Sequence, residues 1–161
     1  MKTLYLIRHA KSSWSFDLND HDRPLGKRGR KDVIKMGQHL ASNQPNPEIF
    51  ISSTASRALY TALHICDQMG VDEGQIRLEK GLYHAGANEI LQIVQSAPEC
   101  DRLAVFGHNP GFTSIANAMA NSSFDNIPTC GIVGIDFNAK YWKDVKFGEG
   151  ALSFFYFPKE I

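Results

Sequence analysis

Two arginines and two histidines stand out by where they fall. Arg8 and His9 close LYLIRHA, Arg57 lies in SSTASRALYTA, and His108 lies in VFGHNPG. In each case the polar residues follow a short apolar run of strand length, at residues 3–7, 49–51 and 103–106. In a parallel sheet the carboxyl ends of neighbouring strands lie along one edge, and functional groups gather just beyond them. The four side chains would then meet in one crevice. Cations with no acidic partner at those strand ends call for a bound anion, and a planar guanidinium fork matches phosphate bidentately. Arg57 falls in the first turn of the following helix, where free backbone N–H groups add to phosphate affinity.

A site that merely held phosphate would need only the arginines; the histidines add proton and nucleophile chemistry. His9 follows its strand directly and is the less mobile of the two, which makes it the better nucleophile. Neighbouring positive charge disfavours the imidazolium, so His9 keeps a free ring nitrogen near neutral pH. Attack on phosphorus would form a phosphohistidine that water then cleaves. Arg8, Arg57 and His108 would stabilise the equatorial oxygens of the transferring group. Taken singly, a histidine after a strand is a polar cap and each arginine a solvated charge. It is their joint occurrence at three strand ends that points to a phosphate site. A module that binds phosphate without turning it over is an alternative reading of the same four residues.

The elements that must position them alternate along the chain. After the first strand, a polar stretch leads into a helix with Val33, Met36, Gly37, Leu40 and Ala41 on one face. The prolines of NQPNPE end it, because they bias their predecessors to extended geometry. Leu59, Ala62, Leu63, Cys66 and Met69 trace a second helical face, stopped by Gly70. A weak strand at 76–78 and a short helix at 88–95 follow, and Phe112, Ile115, Ala116 and Met119 mark a fourth helix. GIVGIDF and ALSFFYF then read as two strands with no helix between them. The pattern predicts an α/β fold, a three-layer α/β/α sandwich with a mostly parallel central sheet and an antiparallel C-terminal hairpin. Residues 1–161 are expected to form one domain.

Composition sets bounds. Lys plus Arg and Asp plus Glu number 17 each, a formal net charge of zero, which argues against the basic face of a sequence-independent nucleic-acid binder. Cys66, Cys100 and Cys130 are odd in number and widely spaced, unlike a disulfide framework or a zinc site, and they fit a reducing compartment. The opening apolar run is too short for a signal sequence or a membrane helix. His21, His39, His64 and His84 lack metal-ligand spacing and read as ordinary surface or core histidines. These bounds lead to the expectation of a cytoplasmic monomer without nucleic-acid or membrane partners.

LYLIRHA resembles the R-H-G/A opening of the histidine phosphatase superfamily, which contains phosphoglycerate mutases and acid phosphatases. SSTASRALYTA resembles its S-S-P-x-x-R-A-x-Q-T-A segment, with Thr54 and Tyr60 in place of the usual Pro and Gln. VFGHNPG resembles the segment that carries its second catalytic histidine. Together, RHAKSSW, DHDRPLGKRG and GHNPG are most similar to the short SixA-type phosphohistidine phosphatases. The resemblance runs in order from Leu4 to Phe112. It implies His9 as the phosphorylated nucleophile, Arg8, Arg57 and His108 around the phosphate, and no metal or cofactor.

The departures bear on the substrate. Mutases and many acid phosphatases of this superfamily carry a Glu or Asp as general acid in a loop, but EKGLYHAGANE lacks the W/L-E-G pattern. Glu79, Glu89 and Asp22 are the candidates left, with Glu89 expected to face solvent at a helix start. No long insertion is present to form a lid. Without a dedicated acid an alkoxide departs poorly, whereas a phosphoramidate can leave as neutral imidazole. The expectation is therefore a metal-independent phosphatase acting on phosphomonoester or phosphoramidate bonds. Its partner would be a phosphohistidine-containing protein, and a small-molecule phosphatase or mutase is the alternative. Arg23 is expected to pair with Asp22 in a turn before a solvated helix. Ser12 reads as a loop hydrogen-bonder that could donate to phosphate, Asn109 as either a backbone phosphate donor or a helix cap, and Trp14 and Trp142 as packing residues, with Trp14 also able to line the mouth.

Overall fold

Near-continuous apolar runs such as LYLI and LAVF become strands covered on both faces, as central strands of a parallel sheet must be. The computed structural model describes residues Met1–Ile161. Its strands are β1 (Lys2–Arg8), β2 (Ile49–Ser52), β3 (Ile76–Leu78), β4 (Arg102–Gly107), β5 (Ile132–Phe137) and β6 (Gly150–Tyr156), in the sheet order β3-β2-β4-β1-β5-β6. The pairs β3–β2, β2–β4 and β4–β1 are parallel, while β5 runs antiparallel to both β1 and β6.

Four helices complete the layers: α1 (Lys27–Asn43), α2 (Ser56–Gln68), α3 (Ala87–Gln95) and α4 (Gly111–Ala120). The two-residue alternation of β1 sends Tyr5 and Ile7 to one side and Leu4 and Leu6 to the other. Val33, Met36 and Leu40 of α1 and Ala62 and Ile65 of α2 cover the first side. Ile90 and Val94 of α3 and Phe112, Ile115 and Met119 of α4 cover the second. This is the three-layer sandwich expected from the sequence. The C-terminal strands pair as expected across the long connection 138–149, and a bulge falls between Gly134 and Ile135. Phe154 packs so closely over Gly134 that a Cβ there would lie 2.2 Å from its ring. No helix is long and apolar enough to cross a membrane.

The order places β4, late in the chain, between β1 and β2. Their carboxyl ends are level, with Arg8 opposite Gly107 and Ser52 opposite Phe106. The ladder continues past the strands, because the His9 amide donates to the Gly107 carbonyl and the Ser53 amide to the Phe106 carbonyl, both at 3.0 Å. One turn after Arg57, the buried Thr61 hydroxyl accepts from the Ala10 amide at 2.9 Å and donates to the Arg57 carbonyl at 2.7 Å. That hydroxyl ties the β1 end to α2. Thr61→Val removes it and leaves a buried N–H unpaired, which should cost about 1–3 kcal/mol in urea unfolding. Thr61→Ser should recover most of the loss.

Candidate active site

The structure brings all four expected residues to the shared edge of β1, β4 and β2. The rings of His9 and His108 lie 5.3 Å apart between centroids, and His9, Arg57 and His108 are each less than 9% exposed. His9 Nδ1 sits 2.8 Å from the carbonyl oxygen of Ala10. A carbonyl can only accept, so Nδ1 carries the hydrogen and the neutral ring keeps its lone pair on Nε2. His108 Nε2 lies 2.8 Å from Ser53 Oγ, which also accepts from the Ala55 amide. The Ser53 hydroxyl hydrogen has His108 as its acceptor, which puts the His108 hydrogen on Nδ1.

Four buried side-chain polar atoms make no hydrogen bond within the chain, and three of them belong to this cluster: Arg8 Nε, Arg57 Nε and His108 Nδ1. A buried polar atom without a partner is unfavourable by a few kcal/mol. Three unpaired donors on residues at one sheet edge suit a cradle for an oxyanion. Burial is the main reason both rings stay uncharged. It takes His9 down to about 4, assisted by Arg57, Arg8 and Arg23 against the opposing Ala10 bond. It takes His108 down to about 3, assisted by His9, Arg57 and His84.

Contrary to the expectation from the strand ends, the cations have an acidic partner. A short turn at Asp20–Asp22 folds over Arg57. The Arg57 fork donates to the Asp20 carbonyl at 2.7 Å and to its carboxylate at 3.0 Å. That carboxylate also accepts from the Tyr83 hydroxyl at 2.5 Å and from Arg23 Nε at 3.2 Å. The Tyr83 bond, with Arg57 and Arg23, holds the Asp20 carboxyl down at about 2, so it is a fixed anion and not a proton donor. No group of three or more His, Cys, Asp or Glu is placed to hold a metal ion.

A model of the histidine phosphatase superfamily (branch 1) matches residues 4–89. The chain belongs to that superfamily. An uncharacterized protein of Mycobacterium tuberculosis is 31% identical over 164 residues, covering 95% of this chain and all of that one. A SixA-type protein from Agrobacterium tumefaciens shares the fold with a TM-score of 0.79 at 24% identity, covering 98% of each chain. The protein histidine phosphatase SixA bound to tungstate has a TM-score of 0.78 at 15% identity, again covering 98% of each chain.

Within this histidine phosphatase domain several residues differ from their expected places. Arg23 pairs with Asp20 rather than Asp22, because the three-residue spacing in the turn aligns them. Asp22 meets only His21 at 3.4 Å. Ser12 accepts from Arg23 at 2.8 Å instead of facing the recess. His21 is no isolated surface residue: its Nε2 lies 2.9 Å from Thr54 Oγ1 and its ring stands edge-on to Tyr83. Asn109 does cap α4, accepting from the Thr113 amide at 3.1 Å. Trp142 is fully buried, whereas Trp14 is 75% exposed and lies over the Arg23 guanidinium at 3.4 Å. Glu79 and Glu89 line a separate cleft beside α3 that shares no residue with the histidine pair.

Both histidines are neutral in the fold and gain protons more readily when unfolded. Their contribution to stability is therefore complete above about pH 6.5 and is lost as pH falls toward 4 and below. The midpoint of thermal unfolding should hold between pH 8 and 7 and drop by roughly 5–10 °C by pH 5. His108→Asn should flatten that slope in calorimetry.

Proposed function

We propose that this chain is a metal-independent phosphatase that transfers a phosphoryl group to His9 Nε2 and then to water. Its substrate is a phosphohistidine carried on a protein. The observation that carries the reading is the His9–Ala10 bond, which leaves Nε2 as an uncharged nucleophile beside the donors of the oxyanion cradle. The phosphoryl oxygens take hydrogen bonds from Arg8, Arg57 and His108. Nε2 forms its bond to phosphorus as the substrate's own bond breaks, and the electron pair departs with the leaving group. Water then attacks the phosphorylated His9, and the same donors stabilise the charge on the oxygens.

Three features support a nitrogen leaving group on a macromolecule. Asp20 is held ionised and Glu79 and Glu89 line a separate cleft, so neither glutamate reaches the leaving group, and the weaker acids that remain suit a nitrogen leaving group better than an alkoxide. Trp14, Phe16 and Leu18 stand 75%, 59% and 49% exposed on the loop after His9, a rim suited to another protein's surface. The fold is also that of a protein histidine phosphatase bound to an oxyanion. A second reading, a small hydroxylated phosphate ester, is favoured by a polar cleft of about 460 Å³ lined by Asn109, Thr113, Ser114, Asn117 and Asn126.

Brief incubation with a ³²P-labelled phosphohistidine protein, followed by quenching, should give an acid-labile, alkali-stable label on His9. Turnover should persist in EDTA, and His9→Ala should lose label and at least about 10³-fold in kcat. Robust turnover by His9→Ala would overturn the proposal. Faster kcat/KM on sugar phosphates than on phosphohistidine protein would favour the second reading.

A further inference from the structure

Phosphoryl transfer to His9 still requires a source for the proton that the leaving group takes up. Asp20 is ionised, and the Tyr83 hydroxyl is committed to it. We propose that His84 is the catalytic proton donor to the leaving group, and that in the second step it accepts the proton of the attacking water. The assignment rests on the phosphoryl transfer to His9 proposed above.

Several independent features place His84. It has φ of +63°, in the left-handed region that residues other than glycine seldom adopt. Such a conformation persists where its surroundings impose it, and it collects at functional sites. Here the surroundings are tight. The next residue's carbonyl packs against the start of α4 so closely that a Cβ on Gly111 would lie 2.1 Å from the Ala85 oxygen. The segment has no room to relax, and the His84 ring is held against Tyr83 at 3.9 Å between centroids. Tyr83 in turn stands edge-on to His108 at 5.6 Å. His84 and His108 line one cavity of about 200 Å³ together with Gly86, Asn109 and Ser114. His84 is thus exposed at the mouth, next to the recess whose floor holds the oxyanion cradle.

The charged and titratable groups around it come from every side. His108, after β4, shares its cavity; Tyr83 packs on its ring and is itself contacted by Arg57 of α2 and Asp20 of the turn; and Glu89 of α3 has its carboxylate held by the Gly86 amide at 3.3 Å. Helix α4 contributes Ser114 and no titratable group to the cavity. An imidazole can both give and take a proton at its ring nitrogens, which suits a donor that must also accept. In the first step the His9 nitrogen bonds to phosphorus, the substrate's nitrogen–phosphorus bond breaks, and the His84 imidazolium protonates the leaving imidazole's other nitrogen. In the second step the water oxygen bonds to phosphorus, the His9–phosphorus bond breaks, and the water's proton returns to His84.

The test compares phenyl phosphate, whose leaving group needs a proton, with p-nitrophenyl phosphate, whose leaving group does not. His84→Asn retains a residue that tolerates positive φ. The ratio of kcat/KM for p-nitrophenyl phosphate to that for phenyl phosphate should rise about 100-fold. The alkaline fall of the phenyl phosphate profile should disappear. His84→Gly, free of backbone penalty at this position, should regain phenyl phosphate turnover when imidazole is added. An unchanged ratio, or no rescue by imidazole in a variant that still labels His9, overturns the role of His84. Absence of label on His9 in the parent protein overturns the phosphoryl transfer itself.

Discussion

The hydrogen bond from His9 Nδ1 to the Ala10 carbonyl is the constraint on which the site depends. It fixes which ring nitrogen is free, and it does so only because the backbone on both sides is held. The His9 amide is tied to β4, its carbonyl accepts from the Cys130 amide at 2.9 Å, and the Ala10 amide is tied to Thr61. A nucleophile on a mobile loop would sample both tautomers and many directions. Here the loop begins one residue after a central strand, and three neighbouring segments brace it. The burial that makes β1 a stable strand also keeps the imidazole uncharged, so the same dry environment serves fold and chemistry.

Dryness alone would make the arginines costly. A buried guanidinium needs partners for its five N–H groups, and the chain supplies only some of them. Arg8 donates to the Ile127 carbonyl at 2.7 Å, and Arg57 has its two terminal nitrogens on Asp20. Both Nε atoms are buried without a hydrogen bond in the chain, as is His108 Nδ1. The cradle therefore consists of donors that the chain leaves open, while the bonds to Ile127 and Asp20 hold the two guanidinium groups in place. Asp20 also fastens Tyr83, so one carboxylate links the β1–α1 connection, α2 and the segment that carries His84.

Much of this was legible in the sequence, and the reasons differ by residue. Arg8, His9, Arg57 and His108 could be read because each follows a strand-length apolar run, and strand ends in a parallel sheet share an edge. The layers could be read because helix and strand periodicities alternate cleanly. Asp20 could not be. Its neighbour Asp22 is chemically equivalent, and only the turn's three-dimensional path decides which carboxylate reaches Arg57. His84 was passed over for a similar reason: its significance lies in a positive φ and a cavity shared with His108, neither of which leaves a spacing signature. Ser53 and Thr61 carry no sequence signal of their roles, since a hydroxyl's long-range partner is set by packing.

The central claim is that His9 is a neutral imidazole with its hydrogen on Nδ1 and its lone pair on Nε2. Nitrogen-15 NMR of the histidine rings across pH reports tautomer and charge directly. At pH 7 His9 should show a protonated-type Nδ1 and an unprotonated-type Nε2 shift, with no titration until pH approaches about 4. An Nε2–H tautomer, or an imidazolium forming near pH 6.5, would contradict it.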